Sequence, residues 1–561
     1  GILIPRCIFG AVFGGGITGL MFSLTGGVLA MVVMALARKI PIFSIYGVSI
    51  LGAAAHNIGQ ILAAMVLMNS RYIGAYLSYL LIVALFTGVA TGAAGAGVAV
   101  VITNSNVQAI VASNVTISAG NNVTVKAQIG AKEKEIQNQD SAWIVDENGK
   151  SQMNSDDINN KLKEDGISKD GEKSTIRVIG VTAGAGLYVG IAVTVAVLNA
   201  SSTARAIMGG NIQKGTLDGR ELIVQNVLVE SSMNYGQVLT TTVGVGGGLV
   251  GINGSVSVTL YNGDAEASIA GTAKVNDVAG TITVNSNGTV KALSVATGLA
   301  AGGGGANAGS ATVINRTRID TYVGQGVVMN SPKAILNVGS NYIAEGKAYV
   351  ISVAGGIAAV GASVAIVISA LEQLSYIGKT PYGDTILAGS LGTNGQITVK
   401  TVNVTNNATS ITTVNGYGIA GGAAAVNGIV AIGMNRTVGY AAISQANVKA
   451  DTMNVIAEMD GDVQVVTTAI TAGGVAAGAT VALSELKTDN HALIDMTGAK
   501  VEGGTVTVSA GTEEKPYDSQ ALTSVITGTA GSVAAAMNYA KAYNKAHNIA
   551  EIIGGTGDVI A

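Results

Sequence analysis

The stretch AGGGGANAGSATVINRTRIDTYV, residues 301–323, sets four consecutive glycines, Gly302 to Gly305, beside a run of alternating β-branched residues. Similar Gly-rich segments recur about every 55 residues, so whatever explains this one explains most of the chain. Three physical readings compete: a loop that cradles a phosphate, the close-contact face of packed membrane helices, and a corner in stacked β-structure.

The phosphate reading fails on context. GVGGGLVG matches G-x-G-x-x-G through Gly246, Gly248 and Gly251, but it is followed by INGSVSVTLY, whose β-branched residues recur with a period of two. A dinucleotide fingerprint needs a helix N-terminus there to face the pyrophosphate. The membrane-helix reading has more support, since VTAGAGLYVGIAVTVAVLNA and YVISVAGGIAAVGASVAIVIS are each at least 20 residues long without a charge. The equivalent stretch ATGLAAGGGGANAGSATVIN, rich in Asn, Ser, Thr and glycine, would make a poor span and a poor helix. A repeat must satisfy all of its copies. A β-solenoid does so, because stacked coils bury strands on both sides, and a thin core leaves room only for Gly and Ala where backbones meet. Glycine also serves the corners where strands change direction.

The repeat itself is legible from about residue 93. Each unit has a Gly-rich hinge and then a small-residue strand closed by Asn or Ser, at Asn199, Asn262, Asn315, Ser369, Asn435, Ser484 and Asn538, spaced 63, 53, 54, 66, 49 and 54 apart. A second short strand follows (ARAI, AEASI, IDTYV, LSYI, YAAI, HALI), then a third (ELIV, TITV, ILNV, ITVK, MNVI, TVTV). With a further copy at residues 95–127 there are eight repeats. The Asn side chains that close the strands are expected to bond neighbouring backbone at a turn and to stack as ladders between coils. At about 20–25 residues per coil and ~4.8 Å per coil, such a rod would be on the order of 90 Å long. Because each repeat borrows core from its neighbours, Gly304→Val or Val364→Asp is expected to disturb adjacent coils as well as its own.

Composition agrees. Glycine numbers 78 against 5 phenylalanines and 1 tryptophan, so small and β-branched residues must do the packing. The 31 basic and 34 acidic residues nearly cancel, and neither a nucleic-acid-binding face nor a polyanionic tail is visible. Eighteen of those charges lie between Lys132 and Lys173, marking residues 131–175 as a charged insertion that interrupts the first repeat (93–130), with the remaining repeats filling 176–561. Within it DDINNKLKEDG reads as a short capped helix. Its acidic residues lack the ligand spacing of an EF-hand loop, so a solvated excursion is expected there rather than a Ca²⁺ site.

Units such as GGGGANAGSATVINRTRIDTYV and AGGIAAVGASVAIVISALEQLSYIG resemble the passenger repeats of leukotoxin-family filamentous adhesins, which are related in style to filamentous haemagglutinins. The resemblance implies a structural and binding protein of the bacterial cell surface or outer membrane, or a secreted one. Its implied partners are host-cell or bacterial surface receptors or surface glycans, with lateral self-association and no nucleic acid.

Residues 1–92 differ in kind. Three apolar stretches, roughly 8–37, 42–68 and 72–92, are each long enough to cross ~30 Å of hydrocarbon as a helix. Within the second, His56, Asn57 and Gln60 are intramembrane polar groups, read either as interhelical hydrogen bonds or as substrate contacts. The residues FSLTGGVLAMVVMALARKIPIFSIYGVSILGAAAHNIGQILAA, 22–64, resemble the Gx transporter family, also labelled heptaprenyl diphosphate synthase component I. That resemblance implies an integral membrane substrate-binding component of a vitamin-type transporter. Arg38 and Lys39 lie together between the first two spans, against the single residues Arg6 before the first span and Arg71 after the second, and this slight positive-inside bias is read as placing the first loop and then residue 93 in the cytoplasm. An adhesin does not function there, so a natural fusion or a chimeric join of two genes is expected.

An enzyme is not expected. The three histidines, His56, His491 and His547, accompany no Ser/His/Asp or Cys/His motif, and the single Cys7 excludes an internal disulfide and a thiolate cluster. No cofactor and no metal site is assigned. The expected fold is mainly β: an elongated β-solenoid of about eight Gly-rich repeats, preceded by an α-helical transmembrane segment of about three spans.

Overall fold

The computed structural model describes residues 16–37, 52, 54–56, 58–61, 63, 96–130, 144–145, 151–153, 174–185, 189–381 and 395–554. Sixteen strands from this set join one sheet, and its long-range pairings are parallel. Backbone stays extended around most bends of a coil, so single strands run 44 residues over Asn226–Ile269 and Thr281–Gly324, and 49 over Gln396–Ser444 and Asn447–Asp495.

Register shows what one repeat is. Val101 lies beside Leu198, and the column continues through Thr259, Val313, Val367, Gly433, Ser484 and Ala542. The steps are 97, 61, 54, 54, 66, 51 and 58 residues, so a single repeat makes one whole coil. The expectation of 20–25 residues per coil is therefore corrected: seven steps at ~4.8 Å make a stack about 34 Å high, broad in cross-section rather than a long thin rod. Sequence reasoning missed this because the bends carry few turn residues, so one coil read as several strands. The first step exceeds the commonest one by 43 residues, the length of 131–173. Gly130 and Ser174 flank that excursion and pair with Asn234 and Gly236 of the next coil, so it leaves and rejoins the ladder at neighbouring positions.

The cross-section tapers, and side-chain size follows the taper. At the wide end the core is Val, Ile, Leu and Met, including Met208, Ile269, Ile282, Met329, Leu336 and Met453. Next comes a zone holding Tyr235, Tyr261 and Tyr342. Beyond it Ala alternates with Val, as at Ala311, Val313, Ala365 and Val367. Near the thin end the core is alanine alone: Ala354, Ala359, Ala420 and Ala425. The two walls then close over glycine. A Cβ on Gly184 would lie 1.9 Å from the Ile191 carbonyl oxygen on the opposite wall. At the tip each coil sits on the one before. A Cβ on Gly302, Gly356, Gly422, Gly473 or Gly531 would stand 1.9–2.3 Å from the carbonyl oxygen of the glycine one coil earlier. Gly302 belongs to the quoted stretch, so its glycines form the tip of a wedge-shaped coil. We call the thin half of each coil its wing.

Before the sheet, α1 (Gly16–Ala37) carries no acidic residue in its first turn and no basic one in its last. Side chains in it are described over 25–36. Among the described residues no helix is long and apolar enough to cross a membrane, so the three expected spans gain no support from the structure. Most of the second stretch and all of the third lie outside the described residues, as do Asn57 and nearly all of the 131–175 excursion.

Candidate functional site

His56 and Gln60 are both half-buried on helical residues facing α1, where a Cβ on Gly26 would lie 2.9 Å from His56 Nδ1 and from Gln60 Cγ. Gly59 approaches Gly26 and Thr25 just as closely, so this is a tight crossing that brings two of the three named polar residues to one place.

The five named asparagines do not share one column. Asn315 and Asn435 occupy the same position in their coils, with Ser369 between them. Both are buried. Asn435 Nδ2 donates to the Ser410 carbonyl at 2.8 Å and to that of Asp462 at 3.2 Å, so it satisfies backbone across the coil. Asn199 registers with Leu260, exposed Asn262 with Ser201 and Arg316, and Asn538 with Thr480. The side-chain ladders form elsewhere. Asn454 donates to Asn403 at 2.9 Å and Asn403 to Asn337 at 2.8 Å. Inside the wing, Asn253 donates to Asn307 at 2.7 Å. The signal for the first ladder was present, since ILNV, TVNV and MNVI carry these asparagines, but it shows only once coils are aligned at their true period.

Two groups on the coils carry chemistry. The first is Asp460, Asp462 and Asp518, each offering a carboxylate oxygen within 4.8 Å of the others. Asp460 pairs directly with Asp518 in the next coil, and the alternation of the strand puts Asp462 on the same side as Asp460. Burial, and then the neighbouring carboxylates, hold Asp460 and Asp462 above the ordinary carboxylate range. Such a set supplies three oxygens toward the six to eight that a hard divalent cation takes, with water for the remainder. Sequence reading missed it because the residues meet only across a 58-residue coil step.

The second is a band of charges and aromatics running across the coils. Arg205 Nη2 donates to Asp264 Oδ2 at 2.9 Å, which raises the guanidinium pKa. Tyr322 donates to Glu266 at 2.8 Å and stacks on Tyr376 at 5.1 Å between ring centroids. Burial pushes both phenols up. Arg318 Nε holds Asp320 Oδ2 at 2.8 Å, yet burial wins and the Asp320 carboxyl is pushed up to about 6. Further along, His491 lies against Tyr440 at 4.9 Å and meets Glu551 at 2.9 Å. Most of these contacts tie successive coils together, and His491 takes part in them through Tyr440 and Glu551.

Residues 1–98 match the family model of heptaprenyl diphosphate synthase component I. The match stops within the first strand of the sheet, Ala96–Val111. No curated protein and no solved structure matches the chain.

Proposed function

We propose that residues 96–553 form a structural and binding solenoid of the filamentous-adhesin kind, displayed on a bacterial surface or secreted, and engaging surface receptors or glycans through its repetitive faces. The observation that carries this reading is the parallel ladder kept in register over eight levels while its outward residues vary. A scaffold of this kind fixes surface side chains at ~4.8 Å intervals along the stack, which suits a distributed, multivalent contact better than a single pocket. The named asparagines serve the frame in this reading, by hydrogen bonding within and between coils.

The test is attachment. Beads coated with the full chain are expected to bind cells saturably, and removal of single coil-surface side chains should each cost only a small part of that binding. Beads that bind no better than uncoated ones would overturn the reading, as would a solenoid shielded from added protease on intact cells.

A second reading is favoured by the family match to residues 1–98: an integral membrane substrate-binding component, with His56, Asn57 and Gln60 as its polar contacts. Specific uptake or retention of a small molecule that is lost on His56→Ala and Gln60→Ala would support it.

A further inference from the structure

The wing has its polarity reversed. Toward the tip its inward positions are small or polar, with Ala354, Ala420, Ser352, Asn307 and Asn427 all buried, and farther from the tip Thr240, Ser255, Ser257 and Thr259 are buried in the same walls as Val313 and Val367. Its outward positions near the tip are apolar and exposed. Leu299, Ile419 and Ile470 stand on the outgoing wall, Val360 and Val426 on the returning wall, and Leu249, Ile357 and Val475 at the tip, with Ile357 72% and Val426 50% exposed. Closer to the wide end this ends, since Leu239, Leu293 and Val295 are buried in a cluster of their own.

Charge respects the same boundary. No Asp, Glu, Lys or Arg occurs in 178–204, 238–263, 292–315, 348–371, 401–435, 463–484 or 519–540, the wing segments of seven successive coils. Arg177, Arg205, Lys291, Arg316, Lys347 and Glu372 stand just outside these limits.

We propose that the wing tip enters the apolar part of one leaflet of a lipid bilayer, with the charged band left in water. Three observations select lipid over a second copy of the chain. Apolar side chains cover both walls and the tip, whereas a partner protein docking on one wall would leave the other bare. Every coil inside the stack hydrogen-bonds its backbone to the coils on either side, and near the tip the polar side chains point inward, which is what hydrocarbon demands of β-structure. The depth also fits: from Tyr417, 40% exposed, to Gly422 at the tip is five residues, about 17 Å, against ~15 Å for half of a hydrocarbon core, and it leaves Tyr417 at the interface that tyrosine favours. This goes beyond the adhesive reading and does not depend on which receptor the coils engage.

Residues 1–98 are apolar enough to carry the chain to vesicles by themselves, so the readout must be local. In the full chain with Trp143→Phe, a single tryptophan is introduced by Ile357→Trp at the tip or by Val328→Trp at the wide end. Each protein is mixed with phosphatidylcholine vesicles whose acyl chains are brominated. The expected result is blue-shifted, strongly quenched emission for Ile357→Trp and unchanged emission for Val328→Trp. Adding Ile419→Asp and Val426→Asp to the tip reporter should reduce its quenching roughly tenfold or more, with an unchanged far-UV spectrum showing that the coils remain folded. Equal emission from both positions overturns the proposal. So does an unquenched Ile357→Trp protein that instead forms dimers in vesicle-free buffer, dissociated by the aspartates, which would assign the wing to a second copy.

Discussion

Neighbouring glycines at the wing tip should respond in opposite directions to the same added methyl group. A Cβ on Gly422 would stand 1.9 Å from the Gly356 carbonyl oxygen, whereas one on Gly421 would meet nothing within 4 Å. A carbon and a carbonyl oxygen need about 3.3 Å, so Gly422→Ala must open the coils locally by about 1.4 Å. The Gly356 N–H bond to the Gly421 carbonyl, at 3.1 Å, and the Ala424 N–H bond to that of Ile357, at 2.9 Å, cannot survive such a displacement. Two lost ladder bonds at about 1 kcal/mol each, with the strain of overpacking, give a destabilisation of about 3 kcal/mol. Gly421→Ala removes only the entropic cost of glycine in a strand and should stabilise by about 0.5–1 kcal/mol. Urea unfolding of the full chain compares the two midpoints, and hydrogen exchange at Ile357, Ala424 and Val475 tests whether loosening spreads to adjoining coils, as it must in a stacked array. Equal midpoints for the two variants, or exchange confined to residue 422 and its neighbours, would refute the reasoning.

Asp320, pushed up to about 6, lies above its unfolded value, so its contribution to stability is complete below pH 4 and is lost as pH rises through 6, about 3 kcal/mol in all. Denaturant midpoints measured at pH 4 and 7 should differ less in Asp320→Asn than in the natural chain. Asp462→Asn should stabilise at pH 7, where it removes a partly buried charge and its repulsion with Asp460 and Asp518, and gain nothing at pH 3, which thermal unfolding at the two pH values checks. Asn403→Ala removes the middle of a three-residue ladder and should cost about 1–2 kcal/mol by the same urea assay, with Asn403→Ser recovering part of the loss. Limited proteolysis should cut first within the highly charged 131–173, and replacing that excursion by one residue should leave the urea midpoint within about 0.5 kcal/mol, because Gly130 and Ser174 already face adjacent positions of the next coil.

Order and recurrence were legible because they are local and cumulative: a β-branched alternation ending in Asn or Ser cannot be hidden when it recurs in eight copies. Which glycine matters was not legible, since that depends on the neighbouring coil. Gly304, singled out from the sequence, has its nearest neighbours 3.9 Å away, whereas Gly302 and Gly305 on either side would meet carbonyl oxygens at 2.1 and 2.4 Å. Gly304→Val is therefore expected to be tolerated. Val364, read as core, instead points outward and is only half-buried. Sidedness escaped for a physical reason as well: alternation fixes which residues share a face, but only the thickness of the core decides which face is inside.

That thickness also bears on how the exposed isoleucines and valines should be explained. A blade too thin for large side chains must place them outward if it needs them for strand propensity, and on that account the apolar exterior would carry no message about partners. Threonine, however, serves strand propensity nearly as well, and the chain uses it freely. It puts Thr240, Thr242, Thr467, Thr471 and Thr480 on the inner walls, where each must find a hydrogen bond or go without, and puts Ile357, Ile419 and Ile470 on the outer walls, where threonine would have been at home in water. Valine, close to threonine in size, at the inner positions and threonine at the outer ones would keep the propensity and remove buried hydroxyls. Propensity is therefore indifferent to the arrangement found, whereas an apolar medium outside the wing favours it at every one of these positions.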